Sequence, residues 1–148
     1  MTRAVNIHAT CVRIGRHGVL LLGPSGAGKS DLALRLIGRG AVLVADDRCD
    51  LSVERNRLVA RAPKTIAGLL EVRGLGIQTM RHAASAPIAL VVDLASAVKR
   101  LPDPQNYVLP KPLTLRQSPP RISLNAFEGS TPDKVLLALR QSPLVKRN

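Results

Sequence analysis

Aromatic side chains are almost missing from this chain: 148 residues contain no tryptophan, one tyrosine (Tyr107) and one phenylalanine (Phe127). Proteins that track single-stranded nucleic acid use a series of rings as stacking platforms, so that class is disfavoured, and no zinc-finger, RRM or KH signature stands in for them. Cysteine is equally scarce, with only Cys11 and Cys49. Two cysteines make no disulfide framework and fit a reducing cytoplasm. The three histidines, His8, His17 and His82, are scattered, so no Cys/His set has metal-ligand spacing. No apolar run approaches the ~20 residues of a membrane span. The N-terminus lacks the basic-then-apolar pattern of a secretory signal. Acidic residues are few, 10 against 22 basic ones, for a formal charge of +12. Such a balance favours anionic partners, a nucleotide or an acidic protein surface among them, and also keeps an ordinary solvated surface soluble. Hydrophobic residues make up 45%, enough for one globular domain with a substantial core.

Against this background one stretch stands out. Gly23-Pro24-Ser25-Gly26-Ala27-Gly28-Lys29-Ser30 matches G-x-x-x-x-G-K-[ST] at every fixed position. Glycines let the backbone curl so that successive N–H groups face one anion, and the positive end of a following helix adds to that field. Lys29 can reach the β- and γ-phosphates and the Ser30 hydroxyl can hold Mg²⁺. The flanks agree: Val19-Leu20-Leu21-Leu22 reads as a buried strand, and residues 30–39 as a helix with Leu32, Leu34, Leu36 and Ile37 apolar. A chance Gly-rich turn is the competing reading.

Around this unit the pattern is strand-rich. Residues 4–14 read as one or two short strands around His8, and residues 41–45 as a buried strand ending at Asp46-Asp47. Residues 51–54 and 58–61 suggest a hairpin turning at Arg55-Asn56. Residues 65–70 suggest a short helix, and residues 87–92 a second buried strand ending at Asp93. Six prolines between 101 and 120 make that stretch edge or loop. Residues 121–126 look strand-like. Thr131-Pro132-Asp133 reads as cap, first-position proline and acid, opening a helix that reaches about Arg140 with Val135, Leu136 and Leu139 inward. Strands alternating with helices around a phosphate loop imply an α/β sandwich.

A phosphate loop binds; a reaction needs carboxylates as well. Asp93, after Leu90-Val91-Val92, resembles an ordinary Walker-type metal residue, and Asp46-Asp47 ends the run just behind the first helix. Strand ends beside the loop are where ligands bind in parallel sheets, so both positions qualify. Residues 69–77, Leu-Leu-Glu-Val-Arg-Gly-Leu-Gly-Ile, place Glu71 and Arg73 before two close glycines. Glu71 can ligate Mg²⁺ and Arg73 can meet a phosphate; a surface turn carrying an ion pair is the plainer reading.

His8 in Asn6-Ile7-His8-Ala9-Thr10, the loop 23–30, Val44-Ala45-Asp46-Asp47, and Leu70-Glu71-Val72-Arg73-Gly74-Leu75-Gly76-Ile77 occur in one order and spacing. Together they resemble the catalytic domain of bacterial HPr kinase/phosphorylase, well over residues 5–80 and loosely to Arg121. The resemblance implies a fold similar to phosphoenolpyruvate carboxykinase, with residues 1–148 one catalytic domain and no separate N-terminal domain. It implies transfer of phosphate from ATP to a serine hydroxyl of HPr, the small carrier of the sugar phosphotransferase system, in the cytoplasm. It assigns Asp47 as the base taking the serine proton, Ser30 and Glu71 to Mg²⁺, Lys29 to the phosphates, and His8 and Arg73 to the active site. Asp93 is then incidental. Arg121 matches the family's later active-site arginine across a proline-rich stretch. The segment the family associates with the reverse phosphorolysis is not recognisable in residues 126–148, which favours the kinase direction. The family's glycine-rich loop is reduced to residues 80–86, and with it the support for the family's hexamer. A basic P-loop NTPase acting as a nucleotide-dependent binding switch is the alternative, with Asp93 on the metal.

Overall fold

The computed structural model describes residues 3–145. The strands around His8 are β1 (Val5–His8) and β2 (Thr10–Ile14); β3 (His17–Leu22) leads into the loop and α1 (Lys29–Ile37). Then come β4 (Val42–Ala45), β5 (Arg48–Glu54) and β6 (Arg57–Arg61). Arg55 and Asn56, at φ 51° and 61°, form the hairpin turn between β5 and β6, as two successive left-handed residues do in the tightest hairpins. The short helix expected at 65–70 is corrected to a single 3₁₀ turn, Lys64–Ile66. The chain leaves the spiral at Ala67, whose ψ is 130°, Gly68 turns it at φ +78°, and Leu69 already begins β7 (Leu69–Val72), paired with β8 (Gly76–Thr79). β9 (Ala86–Leu94), the two-residue β10 (Gln105–Asn106), β11 (Pro120–Leu124) and α2 (Thr131–Gln141) complete the chain. The cap of α2 is Ser130, one residue earlier than expected; the Thr131 hydroxyl instead donates to the Asn125 carbonyl.

The main sheet runs β1-β5-β6-β9-β3-β2-β4. The α/β class holds, but the sheet is mixed rather than the product of alternating strands and helices. Only β3 with β9 and β9 with β11 are parallel; the other ladders are antiparallel. β9 is long enough to hold β6 against its first residues (Ala60↔Ala86) and β11 against its last (Leu124↔Leu94).

Both faces of the centre are covered, which explains the unbroken apolar runs of β3 and β9. Val19, Leu21, Leu90 and Val92 point to the face on which α1 (Leu32, Leu36) and α2 (Val135, Leu139) pack. Leu20 and Val91 point to the other, where Leu51, Leu58, Tyr107 and Leu113 close over them. Leu136, expected inward, is only half-buried. Because β4 lies antiparallel to β2, and β2 to β3, the C-terminal ends of β3, β4, β9 and β11 all reach the same end of the sheet.

Candidate functional site

At that end lies a cavity of about 410 Å³, lined by Ser25, Gly26, Gly28, Lys29, Ser30, Asp31, Leu34, Asp47, Glu71, Val72, Arg73 and Phe127. Its floor is the loop 23–30. Gly28 caps α1 at φ 97°, with no side-chain cap, so the first-turn N–H groups face the cavity without a side-chain partner. A side chain at Gly28 is excluded twice over, by φ and by Ala126 Cβ, which would sit 2.8 Å from a Cβ there. Lys29 is buried, and its Nζ donates to the carbonyls of Gly23 (2.6 Å) and Pro24 (3.2 Å). Burial lowers its pKa, against the pull of Asp47 and Asp46. An incoming phosphate would exchange those carbonyls for a stronger, charge-assisted acceptor.

The two adjacent aspartates divide the work. Asp46 is buried and acts as a junction: its Oδ1 accepts from Thr10 Oγ1 (3.0 Å) and Ser30 Oγ (2.6 Å), and its Oδ2 from the Glu71 N–H (3.1 Å). It thereby ties β2, α1 and β7 to the end of β4. Asp47 turns outward because its backbone is left-handed, φ 68°, a conformation Asp tolerates better than most residues. The turn is held by Ala9 N–H to the Asp47 carbonyl (3.0 Å), by Asp47 N–H to Thr10 Oγ1 (3.1 Å), and by His8 Nε2 against Asp47 Oδ1 at 2.6 Å. The Asp47 side chain remains 66% exposed on the cavity's lip.

Of the residues picked out in the sequence, Ser25, Gly26, Gly28, Lys29, Ser30, Asp47, Glu71 and Arg73 line the cavity, and His8 touches it through Asp47. Gly23 and Pro24 meet Lys29, and Ala27 joins the core beneath the loop. Arg121 stands apart from these. Its guanidinium is taken by Asp93, which raises its pKa, and neither lines the cavity. Asp93 falls inside β9 rather than after it and shares the face of Val91 that Tyr107 covers, away from the helices. The acid that bonds the loop serine is Asp46. Sequence reasoning named Asp46 only as half of a pair and passed over Phe127. The available signal for Asp46 was its place directly after the buried run, where an acid is drawn inward.

The family profile described as HPr Serine kinase C-terminal domain matches residues 1–100. The chain belongs to the HPr serine kinase C-terminal domain family. Within that family it is 46% identical over 76 residues to the HPr kinase/phosphorylase of Caldicellulosiruptor bescii, a match covering 51% of this chain and 24% of that protein. It is 49% identical over 73 residues to the HPr kinase/phosphorylase of Lactobacillus acidophilus, covering 49% and 23%. The chain thus matches about a quarter of the length of these curated relatives. The structure of the Hpr(Ser) kinase/phosphatase from Coxiella burnetii superposes with a TM-score of 0.76 at 26% identity, over 93% of this chain and 88% of that one. The shared HPr kinase fold therefore extends past residue 121, where the sequence resemblance fades.

Proposed function

We propose that this chain transfers the γ-phosphoryl group of ATP to a serine hydroxyl of an HPr-type phosphocarrier protein, with Mg²⁺ as the metal. The observation that carries this reading is Asp47, an exposed carboxylate held by a left-handed turn on the lip of a phosphate-loop cavity. A protein substrate can reach it there, whereas a buried acid would be closed to a seryl side chain. The serine gives its proton to Asp47, the serine oxygen bonds to the γ-phosphorus, and the bond to the β-phosphate oxygen breaks to release ADP. His8 orients Asp47, Lys29 leaves the loop carbonyls for the phosphates, and Arg73 meets charge at the rim. The donors around Ser30 are all oxygens, from Ser30, Asp46, Asp47 and Glu71, which suits Mg²⁺. Among the described residues no three His, Cys, Asp or Glu are gathered to hold a metal by themselves; Mg²⁺ is commonly completed by one or two carboxylates, waters and nucleotide phosphates. Ser30 and Glu71 would hold it, and it would neutralise charge on the transferring group.

Family membership and the absence of Asp93 from the cavity favour the kinase over the binding switch. A cytoplasmic setting belongs to the same reading, supported by two free, buried thiols. Incubating the purified chain with Mg²⁺–ATP and an HPr-type carrier should place phosphate on a carrier serine, read by mass spectrometry. Lys29→Ala should abolish ATP binding and transfer together. ATP bound and hydrolysed with no phosphoserine on any carrier tested would instead favour the binding switch.

A further inference from the structure

We infer that Phe127 is the nucleobase wall of the cavity: its ring stacks on the base of the nucleoside triphosphate whose phosphates lie on residues 23–30. The inference rests on the phosphate-loop reading above and names what holds the other end of the ligand.

The cavity has two chemical ends. Lys29, Ser30 and Arg73 can take an anionic tail, while its apolar lining is Leu34, Val72 and Phe127. A nucleotide is divided the same way, into charged phosphates and a flat base with apolar faces. Phe127 is carried to the loop by topology. β11 is parallel to β9, which is parallel to β3, so the turn after β11 emerges beside the loop after β3. There the ring edge lies against Gly28, with Cε1 and Cζ 3.2 Å from the position a Cβ would take. Leu34, four residues along α1 from Ser30 and about 6 Å further down its axis, lines the same cavity.

The turn is clamped while the ring is bare. Arg35 of α1 donates to the carbonyls of Ala126 and, at 3.3 Å, Glu128, and the Phe127 N–H donates to Asn125 Oδ1 at 2.9 Å. Ala126 is fully buried, yet Phe127 is 68% exposed. In a chain with two aromatic residues, one is fixed by its backbone and presented to a phosphate-binding cavity. A base stacked on it would cover that exposed face, and aromatic stacking tolerates any base because each has a π-face.

The test compares Mg²⁺–ATP with inorganic tripolyphosphate, which has the charge but no base, by titration calorimetry on the whole chain. Phe127→Ala should weaken ATP roughly 5- to 150-fold, the range for losing one base–aromatic stack, and leave tripolyphosphate unchanged. Phe127→Tyr should restore ATP binding. Phe127→Trp gives a single tryptophan, whose fluorescence ATP should quench and tripolyphosphate should not; this reads stacking even if the alanine variant folds poorly. Equal weakening of both ligands by Phe127→Ala would mean the ring only packs on Gly28 and would overturn the inference. So would ATP binding that is indifferent to position 127 in a wild-type chain that binds both ligands. A wild-type chain that binds neither ligand would defeat the phosphate-loop reading itself, and this inference with it.

Discussion

Asp46→Asn is a nearly isosteric change with a large expected effect. In the wild-type chain Oδ1 accepts two hydroxyls and Oδ2 accepts the Glu71 N–H, around a buried carboxylate whose bonds to Ser30 and Glu71 are partly buried. The amide keeps an oxygen for Thr10 and Ser30. At the Oδ2 position it puts an NH₂ against the Glu71 N–H, donor facing donor. One charge-assisted bond is lost and one partly buried donor is left facing another donor, a cost of about 2–3 kcal/mol. For a domain of this size 1 kcal/mol shifts the midpoint by roughly 2–4 °C, so the melting temperature should fall by roughly 4–12 °C. Circular dichroism melts of the two proteins at equal concentration give the comparison. The loop should loosen too, since β7 and Ser30 are held by the same carboxylate, and tripolyphosphate affinity should drop. An Asp46→Asn variant that melts within about 1 °C of wild type would refute the junction assigned to Asp46.

Asp47→Asn should retain the left-handed turn, because Asn tolerates that backbone as well as Asp does. Phosphotransfer to the carrier should fall by roughly 10²- to 10⁴-fold while calorimetry still detects ATP binding. Asp93→Asn, which alters only the pairing with Arg121, should leave ATP affinity within a few-fold of wild type; loss of ATP binding in a variant that still folds would return the metal role to β9. Glu54 supplies a pH test. Its carboxylate takes Arg61 and the Ser52 hydroxyl, which lower its pKa from 4.5 to about 2. A depressed carboxylate stabilises the fold above its unfolded pKa, and the contribution fades as pH falls from about 4.5 towards 2. The pair is about half exposed, so the loss should stay under about 1 kcal/mol, and urea midpoints of Glu54→Gln should lack that component of the acid slope.

Local patterns recorded the burial of the central strands. The runs 19–22 and 87–92 read as buried because both their faces are covered, and Arg55-Asn56 read as a turn because few other steps suit two left-handed residues. What local patterns do not record is partnership. Nothing in 41–45 states that β4 joins β2 at the sheet's edge, nor in 120–124 that β11 lies parallel to β9, so the mixed sheet was not legible. The helix expected at 65–70 failed because the chain turns at Ala67-Gly68, with Ala67 extended and Gly68 at positive φ. The site divided along the same line. The loop, Asp47, Glu71 and Arg73 were visible as motif and resemblance. The burial of Asp46 depends on Thr10 and Glu71, 36 and 25 residues away, and Phe127 reaches Gly28 only through the pairing of β11. The pairing of Arg121 with Asp93 was not legible either, because neither sequence neighbourhood reveals the other.

The cavity's walls are drawn from the whole length of the chain, with Lys29 and Asp47 near its start, Glu71 at its middle and Phe127 close to its end. During synthesis, at about 5–20 residues per second, the loop leaves the ribosome several seconds before the strands that support it. β3 must wait for β9, and the last wall waits for the turn after β11. A nascent chain halted at residue 100 would hold every residue of the loop motif and still lack the surface that completes the site.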